Sequence, residues 1–437
     1  MSVGRTRFGS AYRKLYVATA VSNVGDGMAG IAYPWLASAV TRNPVLVALV
    51  AAAQRLPWLF FTLPAGVITD RVDRRRAIVL MDSLRGLVTL AIAFGVLAEQ
   101  GSLPKPDALD AVVGTRGSLY VMLIVATVLL GCAEVLRDNC GQTVMPSIVA
   151  SEHLEKANGR LWSIESVANT FIGPPLGSLL LVSAFSVPFF IDATSFFVAA
   201  SLVALIPGSF RAIRPEGAST ERADWRRELR EGVQWLWHHP LLRTMAIILG
   251  LMNMANMMSG AVMVLFAQDV LGVTPLTFTV MGFGAAVGGI IGGYAGPWMS
   301  KRFGSGPCLA LTLGSGAVAP VCIGFTSSWV VAMVLFGVFT LLGSSWNVIT
   351  VSLRQSIIPP HLLGRVNSVY RFFAWGMMPI GAALGGAVVS VVDGFASHTV
   401  ALRSVWFAEA IVMGLLFVFG APALTTSRID DARTAGA

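Results

Sequence analysis

Apolar runs of roughly 20 residues recur along the whole chain, each long enough to cross a ~30 Å hydrocarbon core as a helix. Outer-membrane strands would instead alternate apolar and polar residues in segments of about 10. The runs therefore predict helices, and twelve fit: 14–38, 44–67, 77–98, 118–138, 158–182, 186–208, 242–267, 277–299, 306–326, 328–351, 366–391 and 401–422. The expected fold class is an all-α integral membrane protein. Composition agrees, since 55% of residues are hydrophobic and only 12% charged, outside the range of a soluble domain. The first run is too long for the apolar region of a secretory leader and no small-residue cleavage site precedes the next span, so no signal peptide is expected.

The net charge of +8 sits at the ends of spans and not in one patch, so no nucleic-acid partner is expected. Arg5, Arg7, Arg13, Lys14, Arg71, Arg74, Arg75, Arg76, Lys156, Arg160, Lys301, Arg302, Arg354 and Arg365 fall on one side of the twelve spans. The other side carries little beyond Arg42, Lys105, Arg116 and Arg403. That bias assigns both termini to the cytoplasm. Cys132, Cys140, Cys308 and Cys322 have no CxxC spacing or neighbouring histidine, so they read as packing residues and no metal site is expected.

A polar connection divides the spans six and six, giving a half at 1–208, a linker at 209–240 and a half at 241–437. Within the linker, WRRELREGVQWLWHHPLL sets Trp225, Leu229, Val233 and Trp235 among Arg226, Arg227 and Arg230, the pattern of an amphipathic helix at a membrane surface. The halves repeat: Asn158 in EKANGRLWS matches Asn367 in GRVNSVYRF, and IGPPLGS at 172–178 matches IGAALGG at 380–386.

The short turn GVITDRVDRRR at 66–76 holds more charge than orientation requires. Gly66 would let a helix approach closely, Asp70 can accept hydrogen bonds at a neighbouring helix start, and the arginines can clamp carboxylates on adjacent spans. This turn resembles the Gly-x-x-x-Asp-Arg-x-Gly-Arg-Arg loop of the major facilitator superfamily. Gly66, Asp70, Arg71, Arg74 and Arg75 match, and Asp73 stands where that pattern has glycine. The second-half turn GPWMSKRFG at 296–304 lacks the aspartate. LPWLFFTLPAGVITDRVDRRR, MPSIVASEHLEKANG and FFIDATSFF are together similar to the bacterial branch containing enterobactin-type siderophore exporters and macrolide and multidrug efflux proteins. Gly173, Pro174 and Gly177 also match a fifth-helix pattern of drug/proton antiporters, with Asn169 and Ser178 replacing two glycines.

The resemblance implies twelve transmembrane helices in two pseudo-symmetric halves, in a bacterial inner membrane, and a conformational latch at Gly66, Asp70, Arg71, Arg74 and Arg75. It implies a non-enzymatic, monomeric carrier that exports amphipathic small molecules against protons by alternating access. Its partners would be that substrate and membrane lipid. Its energy would come from the proton gradient with no cofactor, and no Gly-x-x-x-x-Gly-Lys-Ser/Thr motif argues for ATP. The alternatives are a dedicated exporter of one siderophore or lipid-like metabolite and, less favoured, an uptake symporter or a membrane enzyme or receptor.

Ionisable residues within spans are costly unless paired or hydrated, so each is a candidate functional group. At about 1.5 Å per residue, Asp26 and Arg55 reach similar depths on the first two spans and read as a proton-coupling pair, tuned by Asn23 and Gln54. Asp82, Arg85, Glu134, Arg137, Glu165 and Arg371 fall closer to the cytoplasm, as a gate network whose salt bridges form and break. Asp192 and Glu409 read as solvated or structural. The seventh span, MAIILGLMNMANMMSGAVMVLF, supplies thioethers and amides for a substrate cavity between the halves. The expected wall comprises Asn23, Gln54, Asn253, Asn256, Met257 and Trp375.

Overall fold

The computed structural model describes residues 8–69, 71–106, 108–109, 112–150, 153–208, 210, 225–359 and 362–436. Among them the only regular structure beyond helix is one isolated bridge, Thr41 to Thr115. In chain order the helices are α1 Ser10–Val40, α2 Pro44–Phe60, α3 Thr62–Thr69, α4 Arg74–Ala98, α5 Gly117–Ile148, α6 Leu154–Val167, α7 Gly173–Ser183 and α8 Ser186–Ala204. They continue as α9 Trp225–His238, α10 Pro240–Asp269, α11 Pro275–Phe303, α12 Ser305–Phe325, α13 Trp329–Ile357, α14 Leu363–Asp393, α15 His398–Gly420 and α16 Thr426–Gly436.

Among the described residues, ten helical stretches are long and apolar enough to cross a membrane. Two more complete the expected twelve. α1 has 31 residues, with Arg13 and Lys14 near its start and Asp26, Ser22 and Asn23 diluting its apolar content further on. α2 and α3 form one span broken at Phe61, whose N–H still reaches Pro57 O at 2.8 Å. The fifth span is interrupted as well: a π turn, Ala168–Ile172, separates α6 from α7, and Pro174 stands at the start of α7, where its missing N–H costs nothing. On α4 the expected two-sidedness is plain. Leu80, Leu87 and Phe94 form an exposed apolar stripe at seven-residue spacing, a lipid-facing surface, while Asp82, Arg85 and Thr89 are buried opposite.

The chain divides into two compact units, one of residues 1–42 and 56–218, the other of 43–55 and 219–437. In the first, α1 packs on α5, α6, α7 and α8, and α4 packs on α5 and α8. Its core includes Tyr12, Leu15, Val135 and Met145, and Tyr12 Oη donates to Ala157 O at 3.0 Å. In the second, α10 packs on α14 and α15, α11 on α13 and α12 on α15, around Leu242, Met245, Trp346 and Tyr370. Gly284, Gly288 and Gly292 on α11 put its backbone against that of α13 at Met333, Gly337 and Leu341, so any Cβ there would collide.

The internal repeat has a structural counterpart. A Cβ at Gly173 would stand 2.6 Å from Gly27 Cα, and one at Gly177 2.7 Å from Met28 O, so α7 touches α1 backbone to backbone. Gly381 and Gly385, 208 residues on, make the same kind of contact from α14 to Met254 and Met258 of α10. The amphipathic linker helix is α9. It buries Leu236 and lays Gly232 against the Arg365 backbone of α14, with Glu231 Oε2 2.6 Å from Arg365 Nη1.

A polar cavity inside the first unit

The turn after α3 is pinned by side chains on both sides. Asp73, which departs from the family pattern, caps α4: its carboxylate accepts from Arg76 N at 3.0 Å and from Phe210 N at 3.1 Å. The arginines clamp backbone carbonyls where carboxylates were expected: Arg74 donates to Thr143 O of α5 at 3.1 Å, and Arg75 to Ile206 O beyond α8 at 2.6 Å. Arg71 is exposed, and Asp70 lies outside the described residues. The expected role of Gly66 needs correction. A Cβ there would meet no described residue within 4 Å, so close approach of a described helix does not explain this glycine.

The first unit lines an open cavity of about 610 Å³. Thr19, Asn23 and Asp26 lie three or four residues apart and so share one face of α1, and Glu134, Arg137, Asp138 and Gly141 repeat that spacing on α5. α4 adds Arg85, and α6 with its π turn adds Asn158, Glu165 and Asn169. Asn169 Nδ2 donates to Asn23 Oδ1 at 3.3 Å, and Asn23 Nδ2 donates to Thr19 O at 2.9 Å. Substituting asparagine for the pattern glycine thus links the fifth span to the first.

The ionic centre differs from the expected pair. Arg85 Nη2 donates to Asp26 Oδ1 at 2.5 Å, with the arginine side chain 5% exposed and the carboxylate 27%. Arg55 is exposed, and its segment groups with the second unit, as does Gln54. The partner of Asp26 therefore comes from the third span, not the second. Behind this pair lies Asp82, fully buried, 3.9 Å from Arg85 Nη1 and 3.5 Å from Arg137 Nε. Neither Asp82 oxygen receives a hydrogen bond from a described residue. Arg137 also contacts Asp138 at 3.5 Å. Five of the six residues assigned to the gate network, with Asp26, are thus gathered around one cavity.

The sixth, Arg371, belongs to the second unit, where its guanidinium lies 4.5 Å from the Trp375 ring centroid. Of the expected substrate wall, Asn23 lines the first cavity, while Asn253 Nδ2 donates to Ala374 O at 2.7 Å and ties α10 to α14. Asn256 is exposed at the edge of a second-unit pocket, and Met257 and Trp375 are partly exposed. Asp192 and Glu409 are each 2% exposed, so neither is solvated. Thr19, Asp138 and Asn169 were not singled out as site residues. The i, i+3, i+4 spacing of polar groups on apolar helices was their only signal.

Long apolar helices around a charged internal cavity define a multi-pass membrane transport protein. The Major Facilitator Superfamily pattern matches residues 15–382, and the chain belongs to that family. It is 26% identical over 386 residues to "Multidrug efflux pump Tap" of Mycobacterium tuberculosis, covering 86% of each chain. Over 398 residues it is 26% identical to "Enterobactin exporter EntS" of Shigella boydii, covering 89% of this chain and 87% of the relative. Among solved structures it resembles a bacterial homologue of the iron transporter ferroportin, with TM-score 0.66, 16% identity and coverage of 94% and 98%. The nucleoside transporter NupG gives TM-score 0.65 at 12% identity, covering 95% and 98%. These structural likenesses concern the fold alone.

Proposed function

We propose that the protein is a proton-coupled antiporter of a bacterial inner membrane that exports amphipathic, preferentially cationic, small molecules. The observation that carries this reading is the charge of the first-unit cavity. Its wall presents the carboxylates of Asp26, Glu134, Asp138 and Glu165 against the guanidiniums of Arg85 and Arg137. Four acids against two bases leave an excess of negative charge in a low-dielectric site, which favours a cation or protons.

In this reading Asp26 carries the coupling proton. A proton arriving on Asp26 removes one anion from Arg85, which then leans on Asp82, and the ion pairs redistribute among Arg85, Arg137, Asp82 and Asp138. Because Asp82 is ion-paired but accepts no hydrogen bond from a described residue, the network has a second arrangement available at modest cost. Such a two-state element is what alternate exposure of a site to the two membrane faces requires. Export is supported by the similarity to Tap, a multidrug efflux pump, and EntS, an enterobactin exporter. Equal identity to the latter favours, as a second reading, a dedicated siderophore exporter.

The test uses inside-out membrane vesicles with an acidified lumen and a fluorescent pH probe. Addition of a lipophilic cation is expected to raise luminal pH in the wild type and not in Asp26→Asn. A response to enterobactin-type compounds alone would select the second reading, and an equal response in Asp26→Asn would remove Asp26 from coupling.

A further inference from the structure

The second unit contains its own buried acid, in a setting unlike that of the first. Glu409 lies mid-way along α15 and is 2% exposed, with Oε2 accepting from Ser259 Oγ of α10 at 2.5 Å. It faces a pocket of about 240 Å³ walled by Phe278, Phe336, Phe339 and Trp406. Asn256 and Gly260, both exposed, stand at its edge. The Trp406 indole N–H is buried and has no acceptor among the described residues.

The two units invite comparison at this point. Phe190-Ile191-Asp192-Ala193 on α8 parallels Phe407-Ala408-Glu409-Ala410 on α15, and α4 packs on α8 as α12 packs on α15. On α4 the first unit has Arg85, stacked 4.1 Å from the Phe196 centroid, one turn beyond Asp192. α12, SGPCLALTLGSGAVAPVCIGF, carries no basic residue. The charged groups on the other helices packed against α15 are Arg243 and Asp269 of α10 and Arg365, Arg371 and Asp393 of α14, and α15 itself carries His398 and Arg403. None of these lines the pocket. An ionised carboxylate with one hydroxyl donor and apolar walls is poorly compensated, so it holds a proton or a cation that the protein does not supply.

We propose that this pocket binds a monovalent organic ammonium with apolar substituents, in exchange for a proton on Glu409. The acid gives its proton to water, and the carboxylate pairs with the incoming ammonium while the aromatic faces take its substituents. The site is internal to the second unit and does not depend on the coupling role of Asp26.

The test is calorimetric titration of the purified full-length protein in detergent with benzyltrimethylammonium, with proton release followed in weakly buffered solution and every comparison made in the Asp26→Asn background, so that the first-unit acid contributes no proton. Binding is expected to tighten with pH by up to about tenfold per unit while Glu409 is protonated, with one proton released per cation there. Glu409→Gln is expected to lose this binding, and Phe336→Leu to weaken it about two- to fivefold while keeping the proton release. Absence of saturable binding, binding without proton release, or unchanged affinity in Glu409→Gln would overturn the proposal. Should Glu409→Gln fail to fold, unchanged affinity in Phe336→Leu overturns it instead. The assay has no gradient, so a failed antiport reading leaves these heats in place, and their absence leaves the vesicle result intact.

Discussion

Arg85 donates to Asp26 across 2.5 Å while lying within 3.9 Å of Asp82, so one buried guanidinium from the third span serves two acids from different helices. The two carboxylates differ in access: Asp26 reaches the cavity and Asp82 does not. This arrangement makes Arg85 a structural anchor and Asp26 the exchangeable member.

Arg85→Met should therefore be far more damaging to folding than Asp26→Asn. Removing the guanidinium breaks the pair with Asp26 and leaves Arg137 as the one cation beside buried Asp82 among the described residues, a loss of about 3–5 kcal/mol typical of a broken buried pair. Asp26→Asn keeps an acceptor for Arg85. Thermal unfolding of the two purified variants is expected to place Arg85→Met well below Asp26→Asn.

Gly177→Leu should abolish accumulation of folded protein, because its side chain would enter the α1 backbone at Met28. Gly385→Leu should do the same through the α10 backbone at Met258. Gly66→Ala is expected to leave folding unchanged, since no described residue lies within reach of the new methyl group. Membrane yield and monodispersity in detergent read all three. A collapsed yield for Gly66→Ala would restore close approach as the reason for that glycine.

Asp73→Ala should cost about 1–2 kcal/mol by removing the α4 cap and the acceptor for Phe210 N. Asp73→Asn, which keeps an acceptor oxygen, should lose less. Asp73→Gly restores the family pattern yet is expected to be destabilising here, because two N–H groups depend on this carboxylate. Comparative melting curves decide the order.

His239 opens α10 by accepting from Leu242 N at 3.3 Å, a bond that needs the neutral ring. Burial lowers its pKa below the ordinary 6.5. The cap's contribution is thus fully present above the unfolded value and is lost as pH falls through the folded one. Melting temperature is expected to drop on acidification, with a share of about 1 kcal/mol absent from His239→Asn, which caps without titrating. An identical acid slope in the variant would assign the loss to other groups.

Much of the fold is legible in the residue order, because partition into a membrane depends on local apolar content over a helix length. The stretch 118–138 reappears within α5, and 277–299 within α11. The linker helix announces itself by Trp225, Leu229, Val233 and Trp235 set among Arg226, Arg227 and Arg230. The repeat at 172–178 and 380–386 is visible because both copies must keep glycine where backbones touch.

Pairing was another matter. Depth along a helix is one coordinate, and it set Asp26 level with Arg55, but rotation about the axis and the identity of the neighbouring helix are fixed only by packing. Those two coordinates gave Asp26 to Arg85, left Arg55 exposed, and sank Asp192 and Glu409 among packed helices, the structural and not the solvated one of the two readings their sequence offered. The sequence by itself determined a twelve-span membrane carrier with charge inside it, because hydropathy acts residue by residue. Only the tertiary structure decided which charges meet, because an ion pair requires two helices to present the right faces at the same depth.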